Sequence, residues 1–324
     1  MKTIPFARAL AAACLTAAAA GAAAQQNYPA KPIRIVTPYA PGGSTSVASR
    51  MIGDKFTEAW GQQVLVDARG GGNTSIGTEN VARSPADGYS LIFVAMTHVV
   101  VPQLQKTSYD PLKDFAPVAT FDLAEEILVV SPAMPVNNLK EFIAYAKANP
   151  GAINFGHAGT GGANHLAGEF FANLAGVKLQ AVAYKGSSQV LTDLMGGQVQ
   201  SSFMVPVNAI SQVKAGKLRG IAVSGPRRLV ALPQVPTFSE AGLANYDAGF
   251  WRGVLAPAGT PRPIIDKLTA EMQKIVGMPD ILEKLNSLGQ EPFYRSPEAF
   301  AQLMRSDYDK YGKLVKAANI KLEE

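Results

Sequence analysis

Residues 38–46 read PYAPGGSTS, so two glycines, Gly42 and Gly43, run directly into three hydroxyls, Ser44, Thr45 and Ser46. The stretch follows a strand-like run, IRIVT (33–37), and precedes VASRMIGDKFTEAW, where Val47, Met51, Ile52, Phe56 and Trp60 recur at helical spacing. A glycine-hydroxyl turn between strand and helix suits three chemistries. It could cradle phosphate, raise a serine nucleophile, or bind an anion without reacting.

A phosphate loop needs a lysine and then a hydroxyl after its last glycine. No lysine follows Gly43, and the neighbouring RGGGNTSIG (69–77) has Ser75 where G-x-G-x-x-G requires its third glycine. A nucleophile elbow, Gly-x-Ser-x-Gly, needs a glycine at the position Ser46 occupies. A base would have to come from His98, His157 or His165, the chain's 3 histidines. The anion reading demands least. The first N–H groups of a helix have no internal partner and carry the positive end of its dipole. Glycines let an anion reach them, and hydroxyls add donors. The expected contacts here are Tyr39, Ala40, Gly42, Gly43, Ser44, Thr45 and Ser46, with a carboxylate as the natural ligand.

A second loop repeats the pattern. GHAGTGGANHLAGE (156–169) follows the run AINFG and precedes an amphipathic stretch. Ala158, Gly159, Thr160, Gly161 and Gly162 offer amides there, with His157 and Asn164 as side-chain contacts. His157 and His165 lie eight apart rather than at the i, i+4 spacing of a helical zinc pair, so no metal and no cofactor are expected.

The elements that must carry these loops alternate. Apolar β-branched runs at 33–37, 63–67, 90–95, 126–131, 152–156, 179–184, 199–205 and 219–224 are separated by helical stretches. That order implies the α/β class, with mostly parallel sheets covered by helices. The last 60 or so residues read as helical, and no internal repeat is visible.

Residues 1–26 read as a secretory signal peptide: Lys2 and Arg8, an apolar centre, and an Ala-x-Ala pattern placing cleavage near Ala24. Its removal takes the only cysteine, Cys14, and lowers the formal charge from +5 to +3. Without a basic stripe, no nucleic-acid partner is expected.

Both loops and many ordered motifs resemble the Bug-type solute receptors of the tripartite tricarboxylate receptor family. The resemblance rests on YPAKPIRIVTPYAPGGSTS, VARSPADGYSLIF, YDPLKDFAPVA, HLAGEFF, YKGSSQVLTDLMGGQVQ, VKAGKLRGIAVSG, LPQVPTFSEAGL and LAPAGTPRPIIDKL, and spans the mature chain. It implies a periplasmic binding protein with no catalytic residues: two α/β lobes joined by a hinge, closing on a small organic carboxylate; a monomer is expected. The partners it implies are the small and large membrane permease subunits of a tripartite transporter, with a sensor kinase as the alternative. In such receptors the loops matching 38–46 and 156–164 grip a carboxylate, partly through ordered water, and the strand end matching Met96-Thr97-His98 adds a contact. The lobes would be 27–125 with 249–324, and 126–248.

Three departures from the family pattern bear on specificity. Ser46 and Met204 stand where many relatives carry Asp, which removes partners for a ligand ammonium, so amino acids should bind poorly. His157 stands where relatives often have Ser, and with Met204 it favours an apolar or aromatic mono- or dicarboxylate over a citrate-like tricarboxylate. Arg252 is a weaker candidate for a second carboxylate, and His98 is another weaker contact.

Overall fold

The computed structural model describes residues 28–39, 41, 44–184, 186–246 and 248–320. The signal-peptide reading and the site candidates Ala40, Gly42 and Gly43 lie outside the described residues.

The chain builds one sheet, crosses to a second, and returns. It begins β1 (Ile33–Thr37), α1 (Ser44–Trp60), β2 (Val64–Ala68), α2 (Ser75–Ala82), β3 (Ser90–Ala95), α3 (Thr97–Leu104) and β4 (Phe115–Ala124). After crossing it forms β5 (Ile127–Val130), α4 (Leu139–Ala148), β6 (Asn154–His157), α5 (Ala163–Ala175), β7 (Gln180–Ala183), α6 (Ser187–Met195), β8 (Ser201–Met204), α7 (Pro206–Lys214) and β9 (Arg219–Val223). It returns as β10 (Phe250–Pro257), α8 (Arg262–Val276), α9 (Pro279–Ser287), β11 (Gln290–Pro292) and α10 (Pro297–Ala317).

The two sheets share a plan that the sequence hides. Their strand orders are β11-β4-β10-β3-β1-β2 and β7-β6-β8-β5-β9. In the first, β1 lies between β2 and β3 and is parallel to both; in the second, β6 lies between β7 and β8 in the same way. Each sheet then accepts a strand of opposite direction, β10 beside β3 and β5 beside β8. The α/β class stands, but the sheets are mixed rather than mostly parallel. Parallel pairing holds inside the β-α-β units, and β10, β4, β11, β5 and β9 pair antiparallel.

Burial follows the expected periodicities. In β5, Leu128 and Val130 pack into the larger core cluster with Phe203, while Ile127 and Val129 face the other way with Met204. Such alternation is what a sheet covered on both faces requires. On α1, Ile52 and Phe56 are fully buried, and Phe56 stacks on Trp60 with ring centroids 4.5 Å apart. Helix α5 lies so close to β6 that a Cβ on Gly168 would come within 2.3 Å of the Phe155 ring, so only glycine fits there. That contact seats the helix directly behind the second glycine loop.

Candidate ligand-binding site

Open α/β sheets bind ligands outside the carboxyl ends of their parallel strands, where strand order reverses. This chain has two such points, between β1 and β3 and between β6 and β8. Tyr39 follows β1, Thr97 follows β3, and Ala158–Gly162 follow β6. These segments line one cleft of about 150 Å³, together with Asn73, Thr74, Val101 and Leu104. A cavity of roughly this volume holds a molecule of benzene's size.

On the first-sheet side, the Tyr39 hydroxyl and Thr97 Oγ1 share a 2.7 Å hydrogen bond, and the Ala95 N–H donates to the Tyr39 oxygen at 3.1 Å. Burial pushes the Tyr39 phenol up, so it stays neutral and remains a donor. One hydroxyl hydrogen is used between the pair; the other is left to donate elsewhere.

On the second-sheet side, the glycines permit a tight turn, with Gly159 at φ 132° and Gly161 at φ 76°. Not all of its amides face a ligand. The Gly162 N–H donates to the Gly159 carbonyl at 3.1 Å, and the Gly161 N–H to His165 Nδ1 at 3.0 Å. Gly159 and Thr160 are the loop's remaining amides between Ala158 and the start of α5.

Several expected contacts lie elsewhere. His157 is buried and packs flat on His165, with centroids 4.1 Å apart at 18°. Burial and the neighbouring imidazole push its pKa down to about 4, so it is neutral and supports the loop from beneath. Asn164 turns its Nδ2 away to the Phe203 carbonyl (2.9 Å) and to both oxygens of buried Glu126 (3.2 and 3.3 Å). Met204 is core, packed with Ile127, Val129 and Val190. Ser46 is buried in the first turn of α1, and half-buried Ser44 and Thr45 stand beside it, outside the described residues that line the cleft.

The two weaker candidates are interior residues. His98 bonds the Pro111 carbonyl at 3.1 Å and packs against Tyr109 and Phe115; burial takes its pKa down to about 4. Arg252 is buried and grips Asp122 through two parallel hydrogen bonds, one of them 2.7 Å long. It pairs with Ala95 across β10 and β3, and its charge is felt by the Tyr39 hydroxyl.

The cleft also contains residues that the sequence reading passed over. Val101 and Leu104 give it an apolar wall. Asn73 and Thr74 belong to the stretch set aside as a failed nucleotide loop, and both have left-handed backbones, with φ of 51° and 77°. Among the described lining residues there is no charged side chain.

The sequence profile described as "Tripartite tricarboxylate transporter family receptor" matches residues 48–320. The chain belongs to the tripartite tricarboxylate transporter receptor family. Solved structures agree in fold. The periplasmic binding protein BugD is 32% identical with a TM-score of 0.76, covering 91% of this chain and 100% of its own. Rpa4515 of R. palustris, solved with adipate, is 31% identical with a TM-score of 0.79 and the same coverage. MatC of Rhodopseudomonas palustris, solved with malate, is 29% identical with a TM-score of 0.75, covering 89% of this chain and 100% of its own. The family is one of solute-binding receptors rather than enzymes, and this receptor's cleft has the build of a binding site. Its donors are backbone amides and neutral hydroxyls, and its three histidines are buried.

Proposed function

We propose that this receptor binds a small carboxylate in the cleft between Tyr39–Thr97 and the Ala158–Gly162 loop, in the periplasm, and delivers it to the membrane subunits of its transporter. The observation that carries this reading is the composition of the cleft: neutral donors from the ends of β1, β3 and β6, with one apolar wall. A carboxylate accepts several hydrogen bonds and is satisfied by neutral donors in a partly dry site. The favoured ligand is a dicarboxylate with an apolar body. His157 and Met204 lie in the interior and carry no aromatic preference; Val101 and Leu104 supply the apolar surface instead. The adipate and malate bound by the two structural relatives are both dicarboxylates.

Residues 27–125 with 249–324 and residues 126–248 would act as two lobes closing on the ligand, a hinge motion. The first crossing is tied to the end of β9: the Ser224 N–H donates to the Glu126 carbonyl at 2.9 Å, and the Glu126 N–H to Ser224 Oγ at 2.9 Å.

A thermal-shift screen against adipate, malate, citrate, phthalate and benzoate tests the reading, since a ligand that binds the folded state raises Tm. Saturable binding with the compound recovered unchanged supports a receptor. Turnover of any hit, or no shift with any of the five, contradicts it.

A further inference from the structure

Thr74 occupies the N-cap position of α2, where a threonine hydroxyl ordinarily accepts from an N–H in the first turn. Here it makes no such bond, because the backbone at Thr74 is left-handed, with φ 77° and ψ −12°. For a β-branched residue that conformation is an outlier. It is strained and persists where surrounding structure over-determines it, typically at ligand clamps and active sites.

The surroundings do hold it. The Thr74 carbonyl accepts from the Thr78 N–H at 3.1 Å and the Thr78 hydroxyl at 2.8 Å. The preceding turn is tied to the end of α3 by Gln105, whose Nε2 donates to the Gly72 carbonyl at 3.0 Å and to Ser75 Oγ at 2.8 Å. The result is a fixed backbone whose hydroxyl has nothing to bond: Thr74 Oγ1 is turned away from solvent and has no hydrogen-bond partner among the described residues. Buried polar atoms in native folds are almost always satisfied, so an orphan in a cleft wall calls for a partner from outside the chain.

We propose that Thr74 turns its hydroxyl into the cleft by rotation about χ1 when solute binds, donating to a carboxylate oxygen and acting as a specificity residue of the receptor. The assignment rests on the cleft being the solute site. Thr74 comes from the turn after β2, so it adds a third anchoring point to those after β1–β3 and β6, and it suits a ligand with two acceptor groups.

Three variants test it by calorimetry with the tightest binder among adipate, malate, citrate, phthalate and benzoate, alongside Tm without ligand. Thr74→Val keeps the shape and removes the hydroxyl; affinity should fall roughly tenfold or more, the effect of losing a bond to a charged acceptor. Ligand-free Tm should barely move, since the hydroxyl has no partner to lose. Thr74→Ser should bind within about twofold of wild type, because the donor is kept. Thr74→Gly removes hydroxyl and strain together, so it should bind weakly yet be at least as stable, which keeps the test sound if Thr74→Val folds poorly. Wild-type affinity in Thr74→Val or Thr74→Gly overturns the assignment alone. Wild-type protein that binds none of the five compounds overturns the cleft reading and this assignment with it.

Discussion

Tyr39 and Thr97 are 58 positions apart in the chain, yet their hydroxyl oxygens lie 2.7 Å from each other in the wall of the cleft. The pairing follows from topology: β1 and β3 are neighbours, so the residues leaving their carboxyl ends meet. The two residues are not equivalent, because the Tyr39 oxygen also accepts the Ala95 N–H. Thr97→Val should therefore weaken ligand binding and lower stability by only about 0.5–1.5 kcal/mol, the net worth of the one shared hydrogen bond. Tyr39→Phe should weaken binding and also destabilise by roughly 1–3 kcal/mol, because it strands the Ala95 donor. Calorimetry and urea unfolding of both variants separate the two effects.

The Gly161 N–H is held by His165 Nδ1 at 3.0 Å, which makes His165 a positioning residue for the glycine loop. His165→Phe keeps a ring to stack on His157 but has no acceptor. It should speed hydrogen exchange at the Gly161 amide and weaken binding. His165→Asn can place its side-chain oxygen close to where Nδ1 lies, and should restore part of both. Amide exchange read by NMR checks this without any ligand.

Stability should form a plateau against pH. Glu125 and Glu126 lie buried at the crossing between the sheets, and burial raises their carboxyls from 4.5 to about 8. Their neutral forms are the ones that fold well, so this contribution is complete below about 4.5 and is lost as pH rises through 8. His98 and His157 act oppositely: burial lowers them from 6.5 to about 4, so their contribution is present above 6.5 and is lost as pH falls through 4. Between about 4.5 and 6.5 the slopes offset each other, and above 6.5 stability declines. Urea unfolding across this range checks the shape. Glu125→Gln should flatten the alkaline decline, since neither Glu125 oxygen has a hydrogen-bond partner among the described residues.

Malate and aspartate differ by a hydroxyl against an ammonium, and the described cleft offers no carboxylate to pair with the latter. Burying an unpaired ammonium is costly. Aspartate should bind at least tenfold more weakly than malate in parallel calorimetric titrations.

The sequence carried the β-α-β units because each element there has one period and one sign of polarity. Runs such as SLIFVA announce a buried strand outright, and β3 spans those six residues, Ser90–Ala95. Strands β4 and β10 do not stand out in the sequence because FAPVATFDLA and FWRGVLAP carry Asp122 and Arg252 within the strand. Those charges look like surface residues until the strands are paired, when they prove to neutralise each other inside the sheet. The same limit explains the site. Glycine loops at strand ends could be read from composition, so Tyr39, Thr97 and the 158–161 loop emerge in the cleft. Asn164, His157 and Met204 could not be placed, because their partners Glu126, His165 and Ile127 are chosen by folding. Thr74 was hidden in a stretch judged only against a nucleotide motif, and its signal, a backbone angle, has no counterpart in residue type.

A crystal structure of the receptor grown with its tightest dicarboxylate tests whether a carboxylate sits between Thr97 and the Gly159–Thr160 amides. One carboxylate should lie within hydrogen-bonding distance of those groups, with an apolar body against Val101 and Leu104. Ligand bound instead in the larger surface hollow of about 440 Å³ beside Arg219, Gln234 and Val235, with the cleft unchanged, would contradict it.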